Sequence, residues 1–182
     1  MKYTALCTIA AFAAVSHAGF FSEDESNNIL DDANDIGVFS DPGGSIAIDG
    51  VLSDNDVDWF TFTLNQTASL SFFSAFGSDG ADGIMQIVAL GGDVIAFDDD
   101  SGLGLMPAIQ IDNLAAGVYF IGLSGFGDVD SDSVDSDELA NGEGHSQNFS
   151  YKLNVGFSII PAPGATALLG MGGLVMTRRR RG

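Results

Sequence analysis

Any chemistry in this chain would have to come from carboxylate oxygen. Asp54-Asn55-Asp56-Val57-Asp58 places three carboxylates at alternate positions just ahead of Trp59, and Asp98-Asp99-Asp100 places three in succession before Ser101-Gly102. Hard cations such as Ca2+ take about six to eight oxygen ligands, largely carboxylates and backbone carbonyls carried on loops. Adjacent carboxylates repel one another, and a cation relieves that repulsion. Asp54, Asp56, Asp58, Asp98, Asp99 and Asp100 are therefore the candidate calcium ligands, if the two loops meet. The alternative is that both are turns whose carboxylates face water.

Other chemistry finds little material. Asp128, Asp130 and Asp132 have the alternate spacing of an EF-hand loop, but Ser133 stands in place of the turn glycine and Leu139 in place of the bidentate glutamate. Beyond the first 18 residues there is no cysteine and one histidine, His145, so neither a Cys-His pair nor a Ser-His-Asp triad can be assembled except around a residue read as exposed on a long loop spanning 128–147. Carboxylate pairs for glycoside hydrolysis are too abundant here to be specific. Phosphate loops, zinc spacings and dinucleotide fingerprints do not occur. The expectation is a protein that is not an enzyme, with a secreted hydrolase as the outlying reading.

Charge narrows the partners. All 25 acidic residues lie between Gly19 and Pro161, where Lys152 is the one base, so this part carries 1 − 25 = −24 while the whole chain carries −19. Such a field repels nucleic acid and draws cations and basic partners. The segment is long enough to bury a core, and its aromatic and β-branched content sets it apart from a disordered acidic tail.

The elements that must position these residues are strands. Trp59-Phe60-Thr61-Phe62-Thr63-Leu64 alternates Phe60, Phe62 and Leu64 on one face with Trp59, Thr61 and Thr63 on the other. Similar runs over 45–52, 68–75, 84–90, 94–97, 108–114, 117–124 and 149–157, separated by Gly/Asp/Asn/Ser clusters, give about eight strands. No sustained helical period lies between them. An all-β, antiparallel, jelly-roll-like β-sandwich over 36–158 is expected, preceded by an acidic leader, 19–35, draped on it with one helical turn near Ile29 to Ala33.

Both ends read as targeting elements. Lys2 precedes an apolar stretch from Tyr3 to Val15, and Ser16-His17-Ala18 supplies small residues for cleavage between Ala18 and Gly19, so 1–18 is a secretory signal peptide recognised by signal peptidase. At the other end Pro161-Ala162-Pro163 breaks the strand. A nearly uncharged run reaches Thr177, and Arg178, Arg179, Arg180 and Arg181 follow. A helix from Ala162 to Thr177 would be roughly 24 Å long, short of a bilayer core of about 30 Å, and spans with the help of arginine snorkelling and local thinning. Four arginines mark the cytoplasmic side and leave the sandwich outside.

This order of elements over 159–182 resembles the PEP-CTERM sorting signal of bacterial envelope proteins, with Ala162 where the family motif has glutamate. The resemblance implies an exosortase-like processing enzyme as partner and transient anchoring in the membrane through the C-terminal hydrophobic helix. Within the body, Glu25-Ser26-Asn27-Asn28, Asp56-Val57-Asp58-Trp59-Phe60-Thr61-Phe62, Asp98-Asp99-Asp100 and Ala116-Gly117-Val118-Tyr119-Phe120-Ile121 are similar to the bacterial pre-peptidase C-terminal domain. That resemblance implies a β-sandwich, of a family in which some members bind calcium or extracellular polymers.

The function expected from the sequence is a non-catalytic protein of the envelope or extracellular matrix, contacting extracellular polysaccharide or surface proteins, with calcium as the candidate cofactor. A carbohydrate-binding module using Trp59 or Tyr119 as a stacking ring is the alternative, set against ordinary packing of both residues in strands.

Overall fold

The computed structural model describes residues 17–40, 42–76, 80–128 and 138–161. Ten strands run in chain order: β1 (His17–Ser22), β2 (Asn34–Phe39), β3 (Gly43–Leu52), β4 (Val57–Leu64), β5 (Ala68–Phe76), β6 (Gly83–Ala89), β7 (Val94–Asp98), β8 (Ala108–Leu114), β9 (Gly117–Gly125) and β10 (Phe149–Ile159). They form two five-stranded sheets, β1-β3-β10-β5-β8 and β2-β4-β9-β6-β7. We call these sheets A and B. The one helical element among the described residues is a 3-10 turn, Leu30–Asp32, inside the stretch where a helical turn is expected.

The expectation of about eight antiparallel strands is corrected to ten strands in two mixed sheets. One cause accounts for both differences. The leader does not drape over a finished sandwich; it joins both sheets. β1 lies parallel to β3 at the edge of sheet A, and β2 lies parallel to β4 at the edge of sheet B. The 35/36 division between leader and sandwich therefore falls inside β2. Neither strand alternates cleanly: β1 follows the apolar N-terminal stretch, and β2 contains Gly37 at φ +101° beside a register shift. Edge strands also carry less of the core, so the period-2 signal is weakest there.

The sheets pack face to face around one apolar core. Inward positions of sheet A (Ile48, Leu52, Leu70, Phe72, Leu153, Val155, Phe157) meet those of sheet B (Phe60, Phe62, Leu64, Met85, Ile87, Ile121, Leu123). Phe39, from β2, stacks on Phe62 at 4.9 Å and on Phe157 at 4.4 Å, so the edge strand inserts a ring between the sheets. A second, smaller cluster lies on the outer face of sheet B, where Trp59, Val57 and Val88 are covered by Leu30 and Ala33 on one side and Leu139 and Ala140 on the other. The Trp59 ring rests on Gly122 of the neighbouring strand, where an added Cβ would stand 2.6 Å from it.

Among the described residues no helix is long and apolar enough to cross a membrane. The expected C-terminal hydrophobic helix, Ala162, Pro163 and the Arg178–Arg181 tail lie outside the described residues, as does the signal peptide up to residue 16. Ala18 and Gly19 lie in β1, paired with Ser45 and Ile46. Pro161 follows β10 and is exposed.

If β2 belongs to the core, Phe39→Ala should cost about 3–5 kcal/mol, the range for removing a fully buried aromatic ring. Urea denaturation monitored by Trp59 fluorescence measures it. A cost below about 1 kcal/mol would mean that β2 only lies against the surface.

Candidate functional site

A crossing of the chain between the two sheets builds the site. After β1 the chain leaves sheet A, runs through Glu23 to Asn28, makes the 3-10 turn and enters sheet B as β2. The crossing is tied down at both ends. Glu23 N–H donates to the Asp49 carbonyl at 3.0 Å, and Trp59 N–H donates to the Asn27 carbonyl at 3.0 Å. Ser26, between Glu25 and Asn27, has φ +87°, a left-handed conformation rare for serine. Such strain persists only where the surroundings enforce it.

Asp58 is the centre of the site. It is the second residue of β4, and its side chain points inward with Phe60, Phe62 and Leu64, fully buried between the sheets. Tyr151 of β10 donates its hydroxyl to Asp58 Oδ2 across the gap at 2.8 Å. Glu23 comes from above: its Oε2 accepts the Val51 N–H at 2.8 Å. Gly50 leaves room for both. A Cβ there would fall 2.3 Å from the Tyr151 ring and 2.4 Å from Glu23 Oε2. One oxygen from each of Glu23, Glu25 and Asp58 lies within 4.8 Å of the others. That separation is what ligands of one Ca2+ show, since oxygens on opposite sides of an ion at about 2.3–2.6 Å are about 5 Å apart.

Two buried oxygens here have no partner, Glu23 Oε1 and Asp58 Oδ1; a third nearby in sequence, Asn27 Oδ1, is also unsatisfied. Buried polar atoms are nearly always hydrogen-bonded, and an orphan carboxylate oxygen is costly. The electrostatics agree. Burial first, then a hydrogen bond shared with Glu23 and the Glu23 charge, pushes the Asp58 carboxyl up to about 10, against the lowering effect of the Tyr151 hydrogen bond. Glu25 is raised by desolvation and then by Glu23 and Asp56. The Tyr151 hydroxyl is held well above its ordinary value by burial and by Asp58. The cluster holds more negative charge than it can stabilise alone, so it needs a proton or a cation.

The structure separates the candidate ligands read from the sequence. Asp58 pairs across sheet B with Leu123, Met85 and Asp98 in turn, so Asp58 and Asp98 share one row three strand spacings, about 14 Å, apart. The buried side chains of Leu123 and Met85 lie between them. The two acidic loops are not brought together. Asp54 is exposed in the turn, and Asp56 is committed locally, accepting from Asn28 Nδ2 at 2.9 Å and Ser53 N–H at 3.1 Å. Asp98 closes its own turn, accepting from the Ser101 N–H at 3.1 Å and Ala108 N–H at 2.8 Å, while Asp99 accepts the N–H of Asp100 at 2.8 Å. Of the six, Asp58 alone joins the cluster. Glu23 and Glu25, its partners, fall in the segment that the sequence presents as a leader. Their alternate spacing, the same that singled out Asp54 to Asp58, was the available signal.

His145 is corrected from an exposed loop residue to a buried one, 2% exposed. Its Nδ1 lies 3.2 Å from the Gln147 amide nitrogen, and its Nε2 faces the Asp56 backbone, 2.7 Å from the carbonyl oxygen and 3.1 Å from the amide nitrogen, the ring tautomer setting which of these contacts is a hydrogen bond. Gly142 N–H and Ser124 Oγ both donate to Asp128 Oδ2, at 2.8 and 2.7 Å. The two ends of the long loop are thereby tied to each other and to β9, and His145 ties the second end to the turn before β4; 129–137 lie outside the described residues. Trp59 and Tyr119 are 1% and 8% exposed, as packing requires, and Tyr119 donates its hydroxyl to the Ala115 carbonyl.

The raised Asp58 group gives a signed pH dependence. Its protonated form is favoured by folding, so in chelator its contribution is fully present below about pH 4 and is lost as pH rises toward 10. Thermal melting in EDTA should therefore fall between pH 5 and pH 8, and Asp58→Asn should flatten that slope, leaving the part due to general acidic repulsion. An unchanged slope in Asp58→Asn would show that the buried carboxyl is not its source.

No curated protein matches the chain. Among solved structures, the periplasmic inhibitor of g-type lysozyme PliG from Aeromonas hydrophila is similar at 16% identity, covering 69% of this chain and 97% of that one, with a TM-score of 0.45. The pre-peptidase C-terminal domain of collagenase from Bacillus anthracis is similar at 18% identity, covering 68% and 93%, with a TM-score of 0.42. The Yersinia pseudotuberculosis-derived mitogen is similar at 9% identity over 66% and 89%, with a TM-score of 0.40. The family signal comes from sequence: residues 56–125, from the turn carboxylate Asp56 to the end of β9, match the bacterial pre-peptidase C-terminal domain.

Proposed function

We propose that this chain is a non-catalytic exported protein whose β-sandwich is clamped by a calcium ion held by Glu23, Glu25 and Asp58. The observation that carries the reading is the convergence of three carboxylates within 4.8 Å, two of them with buried oxygens that meet no hydrogen-bond donor other than a shared carboxyl proton. An ion there joins the crossing (Glu23, Glu25) to sheet B (Asp58) and, through the Tyr151 hydroxyl, to sheet A. Its role is mechanical. It fixes the leader to the sandwich and offsets local repulsion in a strongly acidic body.

Export is supported by the sequence at both ends: the cleavable apolar segment before Gly19, and the Pro161-Ala162-Pro163 break followed by an apolar run and Arg178 to Arg181. In this reading signal peptidase removes the first segment. The second is held briefly in the membrane and trimmed by an exosortase-like enzyme, leaving the sandwich in the envelope or extracellular matrix. Two other readings have less beneath them. A carbohydrate-binding module built on Trp59 or Tyr119 loses both rings to packing, and a hydrolase built on His145 finds both ring nitrogens engaged with backbone.

Calcium at 100 times its dissociation constant should stabilise the folded chain by about 2.7 kcal/mol. Differential scanning calorimetry in calcium, in sodium of equal ionic strength and in EDTA measures it. The increment should vanish in Glu23→Gln; equal melting in calcium and sodium would overturn the clamp. For sorting, mass spectrometry of the exported protein should find a mature chain beginning at Gly19 and lacking the residues beyond Pro163. Exported protein that retains its arginine tail would overturn that part.

A further inference from the structure

The two ends of the sandwich differ in charge. Strands joined by 23–33, 53–56, 77–82, 99–107 and 126–148 meet at one end, and strands joined by 40–42, 65–67, 90–93 and 115–116 meet at the other. Among the described residues the first set of connections carries five, two, one, two and three acids, thirteen in all, and the second carries Asp93 alone. Asp41 lies outside the described residues. Asp35 and Asp112 are exposed on the edge strands β2 and β8, two or more residues back from the second end. β10 is 11 residues long, so about 35 Å separates the ends, several times the screening length of about 8 Å at physiological salt. A body approaching the second end meets little of the field around the Asp58 cluster.

That end also presents an apolar rim. The last outward row of sheet B runs Val38, Thr63, Val118 by register and reaches Leu90, whose N–H donates to the Val118 carbonyl at 3.2 Å. Val38 is 59% exposed, and Leu90, at the tip of the β6–β7 hairpin, is 70% exposed. The neighbouring connections, Asn65-Gln66-Thr67 and Ala115-Ala116, are uncharged. Both apolar segments of the chain lead away from here. β1 begins at this end, His17 beside Gly44, with the apolar N-terminal stretch before it, and cleavage ahead of Gly19 leaves an α-ammonium in the same half. β10 finishes at this end, and Ile160 N–H donates to the Thr67 carbonyl at 2.8 Å, so the chain is tied to the sandwich as far as residue 160. Residues 161–163 then precede the apolar run from Gly164. From Ile160 to Gly164 a chain reaches at most about 14 Å, and a headgroup layer takes up about 5–7 Å of that.

We propose that the end carrying Leu90 and Val38 rests on lipid headgroups while the tail is in the membrane, with Leu90 in the interfacial layer and the Glu23, Glu25 and Asp58 site turned away from the bilayer. This rests on the reading of the run from Gly164 to Thr177 as the membrane segment. Reach selects a lipid surface as the occupant, because a sandwich tied at residue 160 to a segment that enters hydrocarbon is drawn against the headgroups. Charge selects the same end. Anionic lipid repels the acid-rich end, whereas the Leu90 end brings few acids to the surface. An exposed leucine beside Gly91 and Gly92, both at positive φ in a tight hairpin, gains by leaving water for the interface. The cation site then faces the external medium, where calcium can reach it.

The test uses the full chain with Cys7→Ser, which removes its one native thiol, purified in detergent from a host that leaves the tail intact and reconstituted in vesicles of phosphatidylcholine and phosphatidylglycerol. A fluorophore is attached at Leu90→Cys, Asp54→Cys or Phe73→Cys, all exposed positions, and a nitroxide carried on the lipid headgroups is the quencher. The Leu90→Cys label should lose about half its emission, and the labels at the acid-rich end and on the outer face of sheet A almost none, since quenching is confined to the headgroup layer. Flotation with the vesicles is followed on the same samples. Flotation without quenching at Leu90→Cys, or with stronger quenching at Asp54→Cys or Phe73→Cys, would overturn the orientation and leave the membrane anchor standing. Failure to float would overturn the anchor and the orientation together. Disulfide-linked dimers formed by Leu90→Cys and not by Asp54→Cys, with no quenching, would assign the rim to a second copy and overturn the proposal equally.

Discussion

A carboxyl group buried between two sheets sets the terms for this structure. Asp58 occupies an inward position of β4 that would suit an apolar side chain, and everything near it accommodates that choice. Tyr151 reaches across from the opposite sheet to hydrogen-bond it, Gly50 gives up a side chain so that Tyr151 and Glu23 can approach, and the backbone at Ser26 takes a strained conformation as the crossing carries Glu23 and Glu25 over it. Removing one partner of a buried charged group generally costs more than replacing the whole arrangement with apolar residues, so such a group persists as a set or not at all. The set here draws on the crossing, β3, β4 and β10, which is why the leader cannot be treated as an appendage.

Much of the fold was legible because the interior strands alternate. The β4 run from Trp59 to Leu64 and the β10 run from Phe149 to Ile159 both show the period-2 burial that two-layer packing demands. The edges were not legible, for a physical reason. β1 and β2 each bury only part of one face, and β2 carries a register shift at Gly37, so neither presents the alternation that identifies a strand. Parallel pairing is also invisible to a periodicity argument, which finds strands without saying how they are joined.

The candidate site was half legible for a similar reason. The alternate acids at Asp54, Asp56 and Asp58 attracted notice as a loop, but the β-strand begins at Val57, so Asp58 turns inward while Asp54 stays in solvent. The strand begins two residues before the Trp59 start read from the sequence, and that extension places Asp58 in the inward row of Phe60, Phe62 and Leu64. The association with Glu23 and Glu25 is a tertiary fact: 33 residues separate Asp58 from Glu25, and only the crossing between sheets brings them together. His145 shows the reverse case. Its setting among Gly142, Gly144 and polar residues suggests an open loop, yet its ring lies over Gly125 and fills the space that a Cβ there would need.

The position of β10 has a consequence for the order in which the molecule can assemble. It is the last strand among the described residues and the middle strand of sheet A, flanked by β3 and β5. Until it arrives, β3 and β5 have no common neighbour and the inward faces of sheet B have little to pack against. Contacts of such long sequence separation are slow to form. The sandwich therefore cannot close around Asp58 until β10 brings Tyr151 to it.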